Sequence, residues 1–320
     1  MKISVLDAAS LGDDLDLSVF ASYGELEIWQ KTEPENVEKH LRGAQVAILN
    51  KVRLDAEALA QAPDLKLICE AATGFDNIDL VFCRAHGIAV CNVVGYSTQC
   101  VAQLTVTMAL SLITKMEEYT SYVRDGRYSV SGVPNLLTPV YHEIAGKTWG
   151  VIGYGNIGRQ VAKVADALGC RVLVHKRTPV PDRECVSLDE ICLQSDIVSI
   201  HTPLNDATRN LLDATHIAML RRNAIVINVA RGAVTDEAAL AEAVRTGAIG
   251  GLGVDVYAKE PFPTDHPFFA IRNLPNVLFT PHMAWGGYET RVRLVEEMRL
   301  NLESFLSGGT RNRVDLTARP

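Results

Sequence analysis

Several features that define broad classes of protein are absent from this sequence. Its seven cysteines are scattered, odd in number and never in a C-x-x-C pair, which argues against a disulfide scaffold and a zinc site. No apolar run is long enough for a transmembrane helix, and the start of the chain has no basic segment before a long apolar one. We therefore expect no metal, no membrane span and no signal peptide.

Positive charge is also scarce. The chain of 320 residues carries 31 Lys and Arg against 38 Asp and Glu, a net charge of −7, which disfavours nucleic acid and anionic membranes as main partners. The composition is otherwise ordinary for a globular protein, with 48% hydrophobic and 22% charged residues. Because reduced thiols are typical of the cytosol, we expect a cytoplasmic protein. The length of the chain predicts about two domains.

What the sequence contains is a repeated alternation of short apolar runs and amphipathic segments. The first series of predicted strands covers residues 2–6, 26–29, 46–49, 65–69 and 89–93, with predicted helices at 34–41, 55–61 and 78–86. The second series covers residues 148–153, 171–174, 197–201, 224–228, 253–256 and 277–280. Because this alternation is typical of parallel sheets covered on both faces, we predict an α/β protein with two doubly wound parallel sheets.

Two long helices and one irregular segment complete the outline. An apolar helix is predicted at 100–115, with Ser97 or Thr98 as its N-cap, and an amphipathic helix at 288–306. We expect the last helix to fold back onto the first series of strands, which lacks a terminal helix. Residues 125–139 are rich in Gly and Pro and too long for an ordinary connection, so they predict a projecting arm.

A glycine-rich turn joins the first strand of the second series to the helix after it. Gly153, Gly155 and Gly158 have the G-x-G-x-x-G spacing, with an apolar strand before them and an amphipathic helix after them. Such glycines allow a tight turn, a close approach of a pyrophosphate and close helix–strand packing, while the N–H groups of the helix bind the phosphates. The context favours a dinucleotide site; the alternative is a turn without a ligand.

Two cations stand where the next strand of an NAD-binding domain often ends in a carboxylate. Lys176 and Arg177 lie in the expected window after the glycine turn. They would attract a 2′-phosphate, which favours NADP over NAD as the cofactor. The alternative is that both are solvated charges beside a pocket for NAD; Arg177 could also lie over the adenine ring.

Three polar residues, Arg231, Glu260 and His282, lie in turns that follow strands of the second series. A guanidinium grips a carboxylate in bidentate fashion and polarises an adjacent carbonyl. An imidazole exchanges a proton with a carbonyl oxygen, and a carboxylate beside it fixes its tautomer and stabilises its cation. Each residue alone also has a structural interpretation. Together they predict reversible hydride transfer between a nicotinamide and a small 2-oxo acid.

Other strand ends supply further candidates. Asp255 would accept a hydrogen bond from the nicotinamide carboxamide, or else serve as a structural cap. Thr202 and Pro203 are predicted to line the cofactor site, and His201 to be a packed imidazole rather than a second acid.

Longer sequence words point to one family. They are Ala72-Thr73-Gly74-Phe75-Asp76-Asn77-Ile78-Asp79, Gly95-Tyr96-Ser97-Thr98, Gly146-Lys147-Thr148-Trp149-Gly150, and residues 153–158, 228–232, 253–256 and 280–285. With them the chain resembles the D-isomer-specific 2-hydroxyacid dehydrogenases over nearly its whole length, and most closely their glycerate dehydrogenase / hydroxypyruvate reductase branch. The resemblance implies a flavodoxin-like substrate domain of residues 1–96 and 287–320. It also implies an inserted Rossmann dinucleotide-binding domain of residues 97–286 with an arm near 122–145, a cleft between the domains, and a homodimer through the dinucleotide-binding domains.

The resemblance also implies roles for individual residues. Arg231 matches the carboxylate-binding arginine, Glu260 the acidic partner and His282 the acid/base. Backbone amides around Thr73, Gly74 and Phe75 would add to the substrate-carboxylate site. The cofactor residues that it implies are Thr73, Asn156, Ile157, Thr202, Ala230 and Asp255. Lys176 departs from the Asp that many members carry.

Asn50 and Lys51 follow the strand at 46–49 and would either face the substrate, binding its hydroxyl group, or be solvated loop residues. The sequence thus favours an NAD(P)H-dependent reductase of small 2-oxo acids, of the hydroxypyruvate or glyoxylate type. The alternatives are a cofactor-sensing binding protein, like the dehydrogenase-related corepressors, and another reaction of the family such as formate oxidation. The complete set of Arg231, Glu260 and His282 favours the reductase, and Trp285 argues against formate oxidation.

Overall fold

The computed structural model describes residues 1–316, and the chain divides into two compact units. One unit combines Met1–Ser97 with the chain from Gly286 onward, and the other is Thr98–Trp285. Each unit contains one sheet in which every pair of neighbouring strands is parallel. The predicted class, two parallel-sheet α/β domains, is confirmed. The assignment of the units to substrate and dinucleotide stays a prediction.

The first unit has five strands in the order β2-β1-β3-β4-β5. Its elements are β1 (Lys2–Val5), β2 (Glu25–Ile28), α1 (Val37–Leu41), β3 (Val46–Leu49), α2 (Ala56–Ala60), β4 (Leu67–Glu70), α3 (Leu80–His86), β5 (Ala89–Cys91) and α11 (Tyr288–Leu306). Every residue of β3 and β4 is buried, and α11 packs against β4. Helix α3 begins where Asp79 accepts two backbone N–H groups, and it ends at Gly87, which is in the left-handed conformation.

The second unit has seven strands in the order β12-β11-β10-β9-β6-β7-β8. Its strands are β6 (Thr148–Ile152), β7 (Arg171–His175), β8 (Glu184–Cys185), β9 (Ile197–Ile200), β10 (Ile225–Asn228), β11 (Gly251–Val254) and β12 (Val277–Phe279). Its helices are α4 (Thr98–Ile113), α5 (Met116–Arg124), α6 (Asn156–Ala167), α7 (Leu188–Gln194), α8 (Ala214–Met219), α9 (Glu237–Arg245) and α10 (Pro267–Ile271). The chain runs outward from β6 to β8 and returns on the other side of β6 with β9. Ligands of such sheets bind beyond the carboxyl ends of the strands at this reversal.

Sequence analysis missed several short elements and misplaced some strand ends. It did not predict β8, α5, α7, α8 or α10, although Ser187 and Glu190 form a capping box at the start of α7. The strand predicted at 253–256 is Gly251–Val254, so Asp255 lies just beyond it. The strand predicted at 65–69 is Leu67–Glu70, so it buries a carboxyl group in the sheet.

Residues 125–147, between α5 and β6, contain no helix or strand. This segment, which includes the predicted arm, exposes apolar side chains that globular proteins usually bury: Val130 is 85% exposed, Leu137 72% and Val140 68%. None of the helices within residues 1–316 has the length and apolar character needed to cross a membrane.

Candidate active site

The turn after β10 presents Arg231, and Asn228 shapes that turn. Asn228 is 1% exposed; its Oδ1 accepts the N–H of Ala230 at 3.0 Å, and its Nδ2 donates to the carbonyl of Arg231 at 3.0 Å. The half-buried Arg231 donates from Nη1 to the carbonyl of Ala230 at 2.8 Å. A Cβ at Gly232 would lie 2.1 Å from the backbone of Tyr257, so this turn fits directly against the segment that leads to Glu260.

Asp255 follows β11 and fixes the loop that carries His282. The Asp255 side chain is fully buried, and its oxygens accept the Thr280 hydroxyl at 2.5 Å and the backbone N–H groups of Met283 and Ala284 at 2.9 Å each. Burial raises the pKa of Asp255, against the effect of these hydrogen bonds. All three bonds join the strand end to the His282 loop, so the observed contacts are those of the structural cap, the second of its two predicted roles.

His282 forms a hydrogen bond with Glu260, the residue predicted to be its partner. Nδ1 of His282 lies 2.7 Å from Oε2 of Glu260, and the two side chains are 22% and 32% exposed. Oε1 of Glu260 accepts the N–H of Tyr257 at 3.0 Å, which orients the carboxylate. Since Nδ1 donates to the carboxylate, Nε2 is the nitrogen that can exchange a proton with a substrate.

A second histidine–carboxylate pair, which the sequence did not indicate, holds the segment before Glu260. Glu237, in the first turn of α9, accepts the N–H of Ala258 at 2.9 Å through Oε1 and lies 3.0 Å from Nε2 of His266 through Oε2. Nδ1 of His266 accepts the N–H of Phe268, so Nε2 carries the proton and donates to Glu237. Both side chains are 10% exposed. The pair therefore positions the residues that precede Glu260.

The glycine turn between β6 and α6 has the geometry of a phosphate cradle. Gly153 has φ +91°, and a Cβ at Gly158 would lie 2.0 Å from the carbonyl oxygen of Gly153, so strand and helix approach too closely for a side chain. A Cβ at Gly155 would meet no atom within 4 Å. Asn156 and Ile157 form the first turn of α6, where N–H groups have no partner within the helix.

Lys176 and Arg177 come directly after β7, and both side chains are exposed. The loop that follows them is tied back to the glycine turn, because Arg183 donates to the Tyr154 hydroxyl at 2.7 Å and pairs with Asp166 at 2.7 Å. Sequence analysis did not predict these contacts, since they join a loop to residues well before it.

The turn after β9 contains Thr202, which is half-buried, and Pro203, which is exposed. His201 lies just before them; its Nε2 is 2.9 Å from the Ser199 hydroxyl, and its Nδ1 is buried without a hydrogen-bond partner among residues 1–316. Burial lowers the pKa of His201 to about 3. The imidazole is therefore neutral and packed, which fits the predicted structural role and not that of a second acid.

The remaining predicted residues lie in the first unit. The Thr73 hydroxyl donates to the carbonyl of Val93 at 2.7 Å, while Gly74 and Phe75 are half-buried. Asn50 is 6% exposed, so it is not a solvated loop residue, whereas Lys51 is exposed. Within residues 1–316, no three His, Cys, Asp or Glu side chains gather in a way that could hold a metal ion.

Comparisons with known proteins agree with this geometry. Residues 106–284 match the family model described as D-isomer specific 2-hydroxyacid dehydrogenase, NAD binding domain. The chain is 38% identical to a glycerate dehydrogenase of Methylorubrum extorquens, over 98% of this chain and 99% of that protein. It is 31% identical to a hydroxypyruvate reductase of Blautia hydrogenotrophica, over 98% of this chain and 100% of that protein.

Solved structures of similar proteins contain nicotinamide cofactors. The structure of an acyclic imino acid reductase in complex with NADPH and D-Arg has a TM-score of 0.86 and 28% identity, and the match covers 99% of this chain and 100% of that one. The structure of a D-lactate dehydrogenase from Aquifex aeolicus, complexed with NAD and lactic acid, has a TM-score of 0.85 and 27% identity, with coverage of 99% and 100%.

Proposed function

We propose, from the premise that this chain belongs to the D-isomer-specific 2-hydroxyacid dehydrogenase family, that it reduces hydroxypyruvate and glyoxylate and prefers NADPH. The chain is an NAD(P)-dependent D-2-hydroxyacid dehydrogenase, an enzyme that interconverts small 2-oxo acids and D-2-hydroxy acids. The relatives named for glycerate and hydroxypyruvate support the narrower choice of substrate.

One observation carries the proposed mechanism: the 2.7 Å bond between His282 and Glu260, next to the turn of Arg231. In reduction, the Arg231 guanidinium binds the substrate carboxylate and orients the 2-oxo group. A bound reduced nicotinamide supplies the hydride that adds to C2. Nε2 of His282 gives its proton to the oxygen, which becomes the hydroxyl, while Glu260 stabilises the imidazolium before transfer. In oxidation, neutral His282 takes that proton back.

The second unit also supports a site for the cofactor. The close approach at Gly158, the open backbone at Gly155 and the N–H groups of Asn156 and Ile157 fit a pyrophosphate. Two exposed cations, Lys176 and Arg177, fit a 2′-phosphate, which supports NADP over NAD. The residues proposed for the nicotinamide end are Thr202, Pro203 and Ala230, and Asp255, the fourth candidate there, is proposed to position the His282 loop.

Residues of the first unit complete the proposal. We assign Thr73, Gly74 and Phe75 to the substrate carboxylate, and Thr73 also to the cofactor. Asn50 and Lys51 would bind a hydroxyl on the third carbon of the substrate. The Nδ2 of Asn50 is buried without a hydrogen-bond partner among residues 1–316, so the protein leaves this donor unsatisfied.

We also propose a cytoplasmic homodimer. All seven cysteines are free thiols, as a reducing compartment requires. The segment 125–147 exposes Val130, Leu137 and Val140, and apolar side chains exposed together mark protein interfaces. Light scattering should give twice the chain mass of 34.9 kDa, and Val130→Asp with Leu137→Asp should reduce it to a monomer. A monomeric wild type would contradict the proposal.

A substrate panel tests the activity directly. The purified protein is assayed with NADPH and with NADH on hydroxypyruvate, glyoxylate, pyruvate and a branched 2-oxo acid, each with and without an added amine. We expect the highest kcat/KM for hydroxypyruvate or glyoxylate with NADPH, a D-configured product, and an increased KM in Arg231→Ala. Preference for the branched 2-oxo acid would reject hydroxypyruvate and glyoxylate as the substrates. Turnover only with the added amine would instead indicate imino acid reduction.

A further inference from the structure

Glu70, the last residue of β4, is a carboxyl group buried in an apolar core. It is 0% exposed and ends a strand in which every residue is buried. Its Oε2 accepts a hydrogen bond from Nδ2 of Asn77 at 3.1 Å. Its Oε1 is buried and has no hydrogen-bond partner among residues 1–316. Such a group is costly to bury, so its retention at this position calls for a reason.

Asn77 links Glu70 to two loops at once. Its Nδ2 donates both to Glu70 and to the carbonyl of Val52, at 3.0 Å, in the loop after β3. Its own carbonyl accepts the N–H of Leu54, and Leu54 forms a parallel bridge with Ile78. The loop after β3 and the loop after β4 are therefore fastened to each other at Asn77. Glu70 holds the Asn77 side chain by accepting one of its hydrogen bonds.

The two fastened loops carry all the proposed substrate residues of this unit: Asn50, Lys51, Thr73, Gly74 and Phe75. The rest of their backbone is held separately. Asp7 accepts the N–H groups of Asn50 at 3.0 Å and of Lys51 at 2.6 Å, and Nδ2 of Asn92 donates to the carbonyl of Thr73 at 2.7 Å. The far end of the second loop is held by the Asn77 side chain and by the N–H of Asp79, which donates to the carbonyl of Leu54 at 2.9 Å.

We infer that Glu70 is a positioning residue of the substrate site, which acts through Asn77 to set the spacing of the loops at 50–54 and 73–79. The inference rests on the proposed function for the role of those loops. Glu70 touches neither substrate nor cofactor in this scheme, and its effect is on substrate capture.

The charge state of Glu70 gives this role a distinctive signature. Burial raises its pKa well above the usual range; the Asn77 hydrogen bond and Lys51 oppose that rise, and the carboxylates of Asp7 and Asp76 add to it. While it is protonated, Glu70 accepts the Asn77 N–H without a charge. Ionisation, as pH rises through this raised pKa, would put a negative charge beside loops that bind an anionic 2-oxo acid, so substrate affinity should fall as Glu70 ionises.

Stability changes with pH in the same direction. The folded pKa of Glu70 lies above the usual value of about 4.3, so between these two values the folded state holds a proton that the unfolded state has lost. The free energy of unfolding therefore decreases as pH rises through this window. Glu70→Gln, which accepts the Asn77 N–H but cannot ionise, should remove this contribution.

The test compares Glu70→Gln, Glu70→Leu and Asn77→Ala with wild type, and uses Glu57→Gln, on exposed surface of the same unit, as the matched control. The KM for hydroxypyruvate, kcat and the Kd for NADPH are measured from pH 6 to 10. Glu70→Gln should match wild type within about twofold at the acid end of this range but lose the rise of KM with pH. Asn77→Ala and Glu70→Leu should raise KM about tenfold with kcat unchanged, and should change the NADPH Kd less, because Asn92 holds the carbonyl of Thr73 separately.

The inference is overturned if Glu70→Gln keeps the rise of KM with pH, or if Asn77→Ala has the KM of wild type. Should Glu70→Leu not fold, Asn77→Ala and Glu70→Gln still decide the matter. If wild type reduces no 2-oxo acid, the proposed function has failed. The link between Glu70 and Asn77 is then tested by chemical unfolding at several pH values. If the free energy of unfolding depends on pH equally in Glu70→Gln and in wild type, the inference is rejected.

Discussion

Asp255 holds the turn of His282 by accepting the backbone N–H groups of Met283 and Ala284, the two residues that follow His282. His282 itself has φ +53°, a backbone conformation that residues other than glycine rarely adopt. Such a conformation persists where surrounding contacts determine it. The buried carboxylate thus links the end of β11 to the geometry of the proposed acid/base.

Asp255→Asn should weaken this turn. The two backbone N–H groups bind different oxygens of Asp255, so in Asn one of them would face the amide NH2 and lose its partner, at a cost of about 1–3 kcal/mol. We expect a lower melting temperature and a lower kcat, with the Kd for NADPH changed less than twofold. Asp265→Asn, an exposed substitution nearby, should change none of these. A selective loss of NADPH binding with normal kcat would instead favour a direct contact with the nicotinamide.

His282→Asn should lower kcat by about 10²–10⁴, the usual contribution of general acid–base catalysis. Fluorescence titration should find NADPH binding unchanged, since the proposed phosphate cradle follows β6 and His282 follows β12. Glu260→Gln should lower kcat by a smaller factor, because the ring keeps its place but loses the charge that stabilises its cation. His142→Asn, an exposed position in the same unit, is the control. Turnover of His282→Asn equal to wild type would reject the acid/base role.

Lys176→Asp should shift the cofactor preference towards NADH by about tenfold or more, because a carboxylate repels a 2′-phosphate and accepts the ribose hydroxyls. The ratio of kcat/KM for the two cofactors measures the change. Lys163→Asp makes the same charge change on the exposed surface of α6 and should leave the ratio alone. Equal ratios in Lys176→Asp and wild type would mean that Lys176 is a solvated charge beside the site.

Local sequence signals predicted much of the fold. Within residues 1–316 the apolar runs located eleven of the twelve strands, because buried parallel strands are almost wholly apolar, and the one they missed, β8, has only two residues. The short helices α7, α8 and α10 have five to seven residues each, too few for a helical period to show. The glycine turn was readable because its spacing and its flanking elements agree.

Most side-chain contacts between different elements could not be predicted. The pairing of Glu260 with His282 was expected from the residue types, and the structure places them 2.7 Å apart. Nothing in the sequence, however, indicated that Glu237 binds Ala258 or that Glu70 binds Asn77, because each bond joins a helix or strand residue to a loop whose path the local sequence does not define. Because β4 extends one residue beyond its predicted end, Glu70 is buried as part of the strand.

His201 should make the protein less stable in acid. Its folded pKa of about 3 lies below the usual value of about 6.5, so between these values the unfolded state binds a proton that the folded state does not. The free energy of unfolding therefore decreases as pH falls from about 6.5 towards 3. In urea titrations, His201→Gln should show a shallower decrease than wild type over this range, whereas His142→Gln should show the same one. Identical curves for His201→Gln and wild type would mean that this ring is accessible to protons.

Gly155→Ala and Gly158→Ala separate the requirements of the cofactor from those of the fold. Gly155 has φ −83°, and a methyl group there meets no atom within 4 Å, so the variant should fold with wild-type stability. It should nevertheless bind NADPH at least tenfold more weakly, because the methyl group occupies the approach of the pyrophosphate to the backbone. A methyl group at Gly158 would overlap the carbonyl of Gly153, so this variant should lower the melting temperature as well. Calorimetry and NADPH titration of both proteins distinguish the cases. Wild-type affinity in Gly155→Ala would mean that the dinucleotide does not lie over this turn.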